Sequence, residues 1–480
     1  MSIGSLFSFG FSIVSSMILS RYLVKEDYGA YKQVLYVYNS LLIVFTLGLP
    51  KAFSYFLPRV SIEESKNLIN KLTNLFFLLG GVFSASLFLF SGIIANVLKS
   101  PELETALKIF SPVPLLMLPT MGLEGILSTF RKTQFLTVYT IFTRVMMLIC
   151  VVLPVLLFSG GYIQAIVGFV VASFLSFILA LYFKYLPVKH AGNKKCGVTY
   201  NEIFAFSTPL LFASLWGMLI QSADQFFISR YFGAKTFADF SNGSTELPFV
   251  GMIIGACSTV LSPVFSRLNH ESFNPKEEIF PIWISVFEKS AKLIYPLLLY
   301  CWIFADVLMV VLYGDIYITS AIYFRIKLVV NFFTLAVYAP LIISVGKTRY
   351  YANVHMYGAI VLIILEYVSI LIFRSPYFIT VISVVCQIGR IFAMLYIVAK
   401  FFEVKVYHLF PMKLLLKIAA PSILILFLLH YLLVSLSFLG NIFILLIGFI
   451  AYMIIYALLS YTMKINYSQI FKPFMSRLSK

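Results

Sequence analysis

Fourteen stretches of predominantly apolar residues, most of them about twenty long, follow one another along this chain of 480 residues. About 20 such residues are what an α-helix needs to cross the hydrocarbon of a bilayer. The stretches fall near 3–20, 33–57, 72–98, 109–130, 135–158, 162–183 and 203–228, then 245–266, 291–312, 328–346, 351–373, 378–399, 414–439 and 441–463. The pattern predicts an all-α polytopic membrane protein with about 14 transmembrane helices. Composition agrees: 61% of the residues are apolar and 11% charged, against roughly 45–50% and about 25% in soluble domains. A soluble enzyme is excluded. The longest connections, 184–202 and 267–290, are too short for a separate catalytic domain.

The formal charge is +17. On a soluble chain that surplus would point to nucleic acid, but no aromatic-basic platform is present, and cytoplasmic loops of membrane proteins carry excess Lys and Arg. Connections after even-numbered spans, with the C-terminal tail, hold 23 Lys and Arg, and those after odd-numbered spans hold 10. The bias places both termini in the cytoplasm, with the protein multi-pass in the cytoplasmic membrane. The five cysteines are scattered without a C-x-x-C pair, which gives neither a disulfide framework nor a zinc site. No cofactor or metal is indicated. The first stretch has neither a basic lead nor a small-residue cleavage site, so it is expected to stay as the first helix.

Internal repetition sets the architecture. Ser20-Arg21-Tyr22-Leu23 after span 1 pairs with Ser229-Arg230-Tyr231-Phe232 after span 7 at offset 209. Phe90-Ser91-Gly92 at the end of span 3 pairs with Phe304-Ala305-Asp306 at offset 214, and Lys132-Thr133 with Lys347-Thr348 at offset 215. The offset covers six spans, so both copies enter the membrane in the same sense. The expectation is two parallel six-helix lobes around a central cavity. They are an N-terminal lobe at 1–183, a basic linker at 184–202 and a second lobe at 203–400. Helices 13 and 14 follow at 401–463, then a basic tail at 464–480.

The segment from Ser20 through Arg21, Asp27 and Gly29 to Tyr31 resembles the loop between helices 1 and 2 of the polysaccharide transporters. These form one branch of the multidrug/oligosaccharidyl-lipid/polysaccharide (MOP) exporter superfamily. Gly48-Leu49-Pro50-Lys51 to Pro58-Arg59 is similar to that family's second helix, and Tyr313-Gly314-Asp315 to its turn after helix 9. The family's short basic segment before the first helix is not seen in this sequence, so either the start is unusual or a few residues precede Met1. The resemblance implies a MATE-like fold and a flippase for undecaprenyl-pyrophosphate-linked oligosaccharides in the bacterial inner membrane, serving O-antigen, capsule or exopolysaccharide synthesis. The expected mechanism is alternating access, and a carboxylate inside a span is a candidate for binding a coupling ion, proton or sodium. Expected partners are membrane lipid, a polysaccharide polymerase and chain-length proteins. By analogy, helices 13 and 14 would hold the polyprenyl tail.

Ionisable residues inside spans are costly and so face a cavity or a partner. Arg144 and Arg390 lie mid-span, where each either faces the cavity or pairs with a buried acid. Lys51 either snorkels to the interface or meets the headgroup as it enters. With a pyrophosphate substrate, Arg144, Arg390 and Lys51 become the expected anion-binding cations. Glu366 either pairs with one of these arginines or binds a coupling ion. Asp224, in a polar run after Gln221 and Ser222, suits a cavity-facing patch. Glu124, Glu246 and Asp306 lie near span ends and are expected to be solvated, and His355 and His430 to be packing residues. The alternative reading is a MATE-type drug/cation antiporter, which has twelve helices and so fits the extra pair less well. A membrane polymerase is excluded by the absence of a long external loop, a nucleophile triad or a metal cluster.

Overall fold

The computed structural model describes residues 2–158, 160–192, 194–270, 274–435, 440–465 and 467. Most of the basic tail, including Lys472, Arg477 and Lys480, lies outside them. Eleven described helices are long and apolar enough to cross a membrane. The other three expected spans are helical too, and two of them are broken. The first, α1 (Ser2–Tyr22), is a single helix. The ninth, α9, is a pair, Phe280–Ile303 and Ala305–Tyr313, with a bend of 75° between Pro275–Ile303 and Ala305–Tyr313. The tenth, α10, is three short pieces, Ser320–Leu328, Asn331–Thr334 and Ala339–Ser344. The chain divides into two compact units, Met1–Ser241 and Asn242–Lys480.

In the first unit, α2 runs Lys25–Thr46 and resumes as Pro50–Phe56; α3 runs Ile62–Leu89 and continues as Ser91–Leu98. The fourth span, α4, has the pieces Glu102–Phe110, Pro112–Met117 and Leu123–Thr129; α5 is Thr133–Leu157, α6 is Tyr162–Tyr185 and α7 is Tyr200–Gly243. Helix α3 starts with a capping box: Ser61 Oγ accepts from Glu64 N at 3.3 Å, while Ser61 N donates to Glu64 Oε2 at 3.2 Å. Each bond satisfies a donor that the helix start leaves open. Its buried face, Leu68, Leu72, Leu75, Phe76, Phe83 and Leu87, follows the helical period, while Leu78, Val82 and Leu89 stay exposed and suit lipid.

Helix α6 is the centre of this unit, packed by α5, α2 and all three pieces of α4. It carries a stripe of small buried residues, Ala165, Gly168, Ala172, Ser176 and Ala180. Lipid offers no hydrophobic force between helices, so close backbone approach through small residues drives their association. Helix α7 belongs to this unit by its contacts, so the compact unit runs beyond the 184–202 linker. Gly233 (φ 77, ψ 177) interrupts it. The start of α2 packs on the end of α7: Lys25 and Asp239 form a largely buried ion pair at 2.7 Å, and Gln33 Nε2 donates to Ser229 Oγ at 2.8 Å. A Cβ on Gly29 would lie 2.0 Å from the Ala234 carbonyl oxygen. That contact gives the Asp27-x-Gly29 motif a packing role.

In the second unit, α8 is Pro248–His270, α11 is Thr348–Phe373 and α12 is Pro376–Phe401; α13 is Met412–Ser435 and α14 is Asn441–Thr462. Helices α13 and α14 attach through α9. Tyr300 Oη donates to the Leu445 carbonyl at 2.6 Å and its ring stacks on Phe304 at 4.9 Å, while Tyr452 Oη donates to Ser422 Oγ at 3.0 Å.

The repeat read from sequence recurs in backbone geometry. Phe90 (φ −96, ψ 7) ends one helix and starts the next, and Phe304 (φ −87, ψ 19) does the same at offset 214. Lys99 and Gly314 both take positive φ, as do Arg131 and Gly346, each pair at offset 215. The break in α4 at 121–122 and the break in α10 at 336–337 coincide at that same offset.

Helix α5 and helix α6 touch where a Cβ on Gly168 would lie 1.8 Å from the Cys150 carbonyl oxygen. Backbone on the facing side cannot yield as a side-chain tip can, so Gly168→Ala is expected to lower the thermal midpoint of the purified protein by several degrees. Gly81→Ala, whose Cβ meets nothing within 4 Å, is expected to leave it unchanged or raise it, since alanine is the better helix former by about 1 kcal/mol. Equal midpoints for the two variants would contradict this packing.

Candidate functional site

Broken spans in membrane proteins free backbone groups that neighbours must satisfy, and substrate sites in transporters are built around such breaks. In the first unit α2 breaks at 47–49, where Leu47 (φ 50) and Gly48 (φ 70) turn left-handed. A Cβ on Gly48 would lie 2.9 Å from the Ser207 carbonyl oxygen. Pro50 then restarts the helix, and Lys51 stands exposed in its first turn. Helix α4 breaks at 121–122, and Glu124 stands exposed in the first turn of the piece that follows, where a carboxylate complements the helix dipole. The two restarted pieces lie against each other: added Cβ atoms on Gly122 and Gly125 would meet the Phe53 ring at 1.9 Å and Ser54 Oγ at 2.6 Å.

Lys184 closes this arrangement. Counted above with the cytoplasmic loop cations, it is fully buried at the end of α6. Its ammonium donates to the carbonyls of Pro119 at 2.8 Å and Met121 at 3.1 Å, the residues that flank the α4 break. It also sits 4.7 Å from the Phe53 ring centroid, a cation–π contact. Sequence reasoning missed this role because nothing in the spacing pairs residue 184 with residue 119. In the second unit the buried Trp283 supplies the same service, its indole Nε1 donating to the Val337 carbonyl at 2.9 Å.

Arg144 lies near the middle of α5 and is exposed. Arg390 lies near the middle of α12 and is half-buried. Among the described residues no carboxylate forms an ion pair with either. Arg390 Nη1 instead lies 3.3 Å from His355 Nδ1. A guanidinium only donates, so this nitrogen is the acceptor and Arg390 keeps its full charge. His355 is thus more than packing; it orients the guanidinium, with Tyr351 packed on its ring at 4.6 Å. Room for the arginine comes from Gly358, where a Cβ would lie 2.3 Å from Arg390 Cδ.

Glu366 is fully buried on α11, eleven residues beyond His355 and therefore on the same helical face. Asp224 is also buried, its Oδ1 accepting from Gln225 N at 2.9 Å, and the neighbouring Ser222 bonds Ser40 Oγ of α2 at 3.1 Å. Asp306 departs from the solvated state expected of it. It pairs with Arg325 at 3.2 Å and with His430 Nε2 at 3.2 Å, and Arg325 Nε also donates to the Trp302 carbonyl at 3.0 Å. This cluster ties α13 to the bend in α9 and gives His430 a structural role. No group of three metal-ligating side chains is found among the described residues.

Removal of the Lys184 ammonium leaves the Pro119 and Met121 carbonyls without their buried donor. Lys184→Met is expected to cost about 1–3 kcal/mol of stability, read as a lower melting midpoint in detergent. An unchanged midpoint would show that the break is held by something else.

No curated protein matches the chain. Its fold matches that of the lipid II flippase MurJ in an inward closed conformation over 99% of both chains, with a TM-score of 0.73 at 15% identity. An inward-facing multidrug resistance MATE family transporter of the MOP superfamily matches over 84% of this chain and 96% of its own, with a TM-score of 0.62 at 12% identity. A MOP superfamily transporter from Pyrococcus furiosus, described as having a binding pocket of reversed polarity, matches over 83% and 95%, with a TM-score of 0.56 at 11% identity. These likenesses establish the fold. The family model for polysaccharide biosynthesis proteins matches residues 1–269, more than half of the chain, and with the broken-span architecture this identifies the protein as a member of the polysaccharide biosynthesis protein family, built on the MOP superfamily fold.

Proposed function

We propose that this protein is a flippase that moves undecaprenyl-pyrophosphate-linked oligosaccharide units across the bacterial inner membrane by alternating access. The units would feed O-antigen, capsule or exopolysaccharide synthesis. The observation that carries the reading is the pair of mid-span arginines without a carboxylate partner among the described residues, Arg144 and Arg390, in a member of a polysaccharide biosynthesis family. An arginine at the centre of a span costs about 2.5–3.5 kcal/mol or more on insertion. A neutral imidazole at Arg390 does nothing to cancel its charge, and a bound anion would offset the cost. A pyrophosphate is a dense anion whose oxygens accept bidentate guanidinium hydrogen bonds. A cationic drug would be repelled from both positions, which disfavours the antiporter reading.

In this account Lys51 meets the headgroup as it enters from the cytoplasm, and Arg144 and Arg390 each engage the pyrophosphate during transit. The polyprenyl tail stays in lipid. Glu366, Asp224 and Glu124 are the candidate carboxylates for coupling to a proton or sodium ion, or for structural ion pairs. The distribution of Lys and Arg supports cytoplasmic termini.

The test is mass spectrometry of polyprenyl-linked lipids in a strain depleted of this protein. Accumulation of one undecaprenyl-pyrophosphate oligosaccharide, with loss of surface polymer, is expected. An unchanged lipid pool with raised sensitivity to cationic dyes would overturn the proposal in favour of the antiporter. A second prediction concerns how Arg390 is held. Gly358→Ala displaces the arginine without removing it, so its loss of surface polymer in complementation should match that of Arg390→Ala. The double variant should be no worse than either single variant, because the two changes disable one interaction. Additive losses would separate Gly358 from Arg390.

A further inference from the structure

A second group of cations lies in the Asn242–Lys480 unit. A cleft of about 630 Å³ opens where α9, α13 and the chain following α14 come together. It is lined by Lys292, Lys413, Lys417 and Lys464, with Glu288 as its one carboxylate. Lys413 and Lys417 stand exposed at the start of α13, and Lys464 stands exposed two residues past the end of α14. Tyr467 fixes that last segment: its hydroxyl donates to the Lys292 carbonyl at 3.2 Å and meets the Tyr456 hydroxyl at 2.8 Å. Three separate elements therefore converge their lysines on one opening. A surplus of loop cations that only set topology has no reason to converge.

The face of α13 above the cleft changes character along its length. Lys413 and Lys417 are followed on the same side, at helical spacing, by Leu424, Leu428 and Tyr431, all exposed. One stripe thus offers two ammonium groups at the helix end and apolar surface beyond them. That is the profile of a lipid with an anionic headgroup and an acyl chain. The cleft is lined by four lysines and His408, and by no arginine. Lysine acts as a compact, hydrated point charge, whereas arginine supplies the planar fork that recognises phosphate bidentately. The set fits a headgroup held by charge at the membrane surface, where basic pockets between spanning helices bind anionic lipids.

We infer that this cleft is a binding site for an anionic glycerophospholipid of the surrounding bilayer. The phosphodiester sits among Lys413, Lys417 and Lys464, and one acyl chain lies along Leu424 and Leu428. The test is native mass spectrometry of the purified full chain in detergent, titrated in turn with dioleoyl phosphatidylglycerol and dioleoyl phosphatidylcholine. Phosphatidylglycerol is expected to bind more tightly. In a Lys413→Ala/Lys417→Ala/Lys464→Ala variant that elutes as a single species, its affinity is expected to fall about fivefold per lysine, on the order of a hundredfold in all. Phosphatidylcholine binding should not change, and the corresponding triple arginine variant should retain phosphatidylglycerol. Equal affinity for the two lipids, or a triple alanine variant that binds phosphatidylglycerol like the parent, would overturn the inference. Displacement of phosphatidylglycerol by equimolar undecaprenyl pyrophosphate would assign the cleft to the substrate instead, and displacement by inorganic pyrophosphate alone would assign it to a soluble anion.

Discussion

A backbone carbonyl inside hydrocarbon has no water to accept from, and each one left without a donor costs several kcal/mol. This chain nevertheless interrupts its spans at equivalent places in its two repeats, at 121–122 and 336–337. The interruptions persist because buried donors are brought to them. In the first unit the donor is the ammonium of Lys184, and in the second it is the indole of Trp283. The two solutions are chemically different, so the repeats conserve the break rather than the residue that seals it. Around the first break, Gly122 and Gly125 admit the Phe53 and Ser54 side chains at distances no other residue would allow. Local rules, a left-handed turn at Gly48 and a proline restart at Pro50, thereby build the irregular backbone that a transport site requires.

The same logic of partners governs the charges. Lys25, Lys184, Arg325 and Asp306 have protein partners and serve as structure. Arg144 and Arg390 differ from them, since no described carboxylate pairs with either. The imidazole of His355 positions Arg390 without neutralising it, and Gly358 exists as glycine to let it lie there. A charge that is held in place but left uncancelled is set up to meet an opposite charge on something that passes. That is the physical basis for assigning an anionic headgroup to the substrate.

Much of the architecture is legible in the sequence, because spans of apolar residues obey a length rule and loops obey a charge rule. Eleven of the fourteen segments form helices long and apolar enough to cross a membrane, and even the weak match of Phe90 to Phe304 marks a shared backbone bend. What the sequence hides is whatever depends on pairing distant residues. Lys184 reads as a loop cation by its position after a span, yet folding carries it inward to the carbonyls of residues 119 and 121. His355 reads as a packing residue because its partner lies 35 positions away on another helix. The bend in α9 and the fragmentation of α10 escape a length-and-hydropathy reading, which counts apolar residues and is blind to the direction of the helix axis. Asp224 reads as part of a cavity-facing patch and Glu366 as either an ion-pair partner or a coupling-ion site, and folding buries both.

The central claim is that this protein carries a lipid-linked oligosaccharide across a bilayer by binding its pyrophosphate. The most direct measurement uses the purified chain in proteoliposomes that contain a fluorescently labelled polyprenyl-pyrophosphate oligosaccharide. An impermeant reductant then quenches whatever faces outward. The account predicts that the protein renders the inner-leaflet pool quenchable, and that Arg390→Ala protein, equally well reconstituted, does so at a small fraction of the rate. A pool that stays protected in the presence of the parent protein, or a rate indifferent to Arg390, would contradict it.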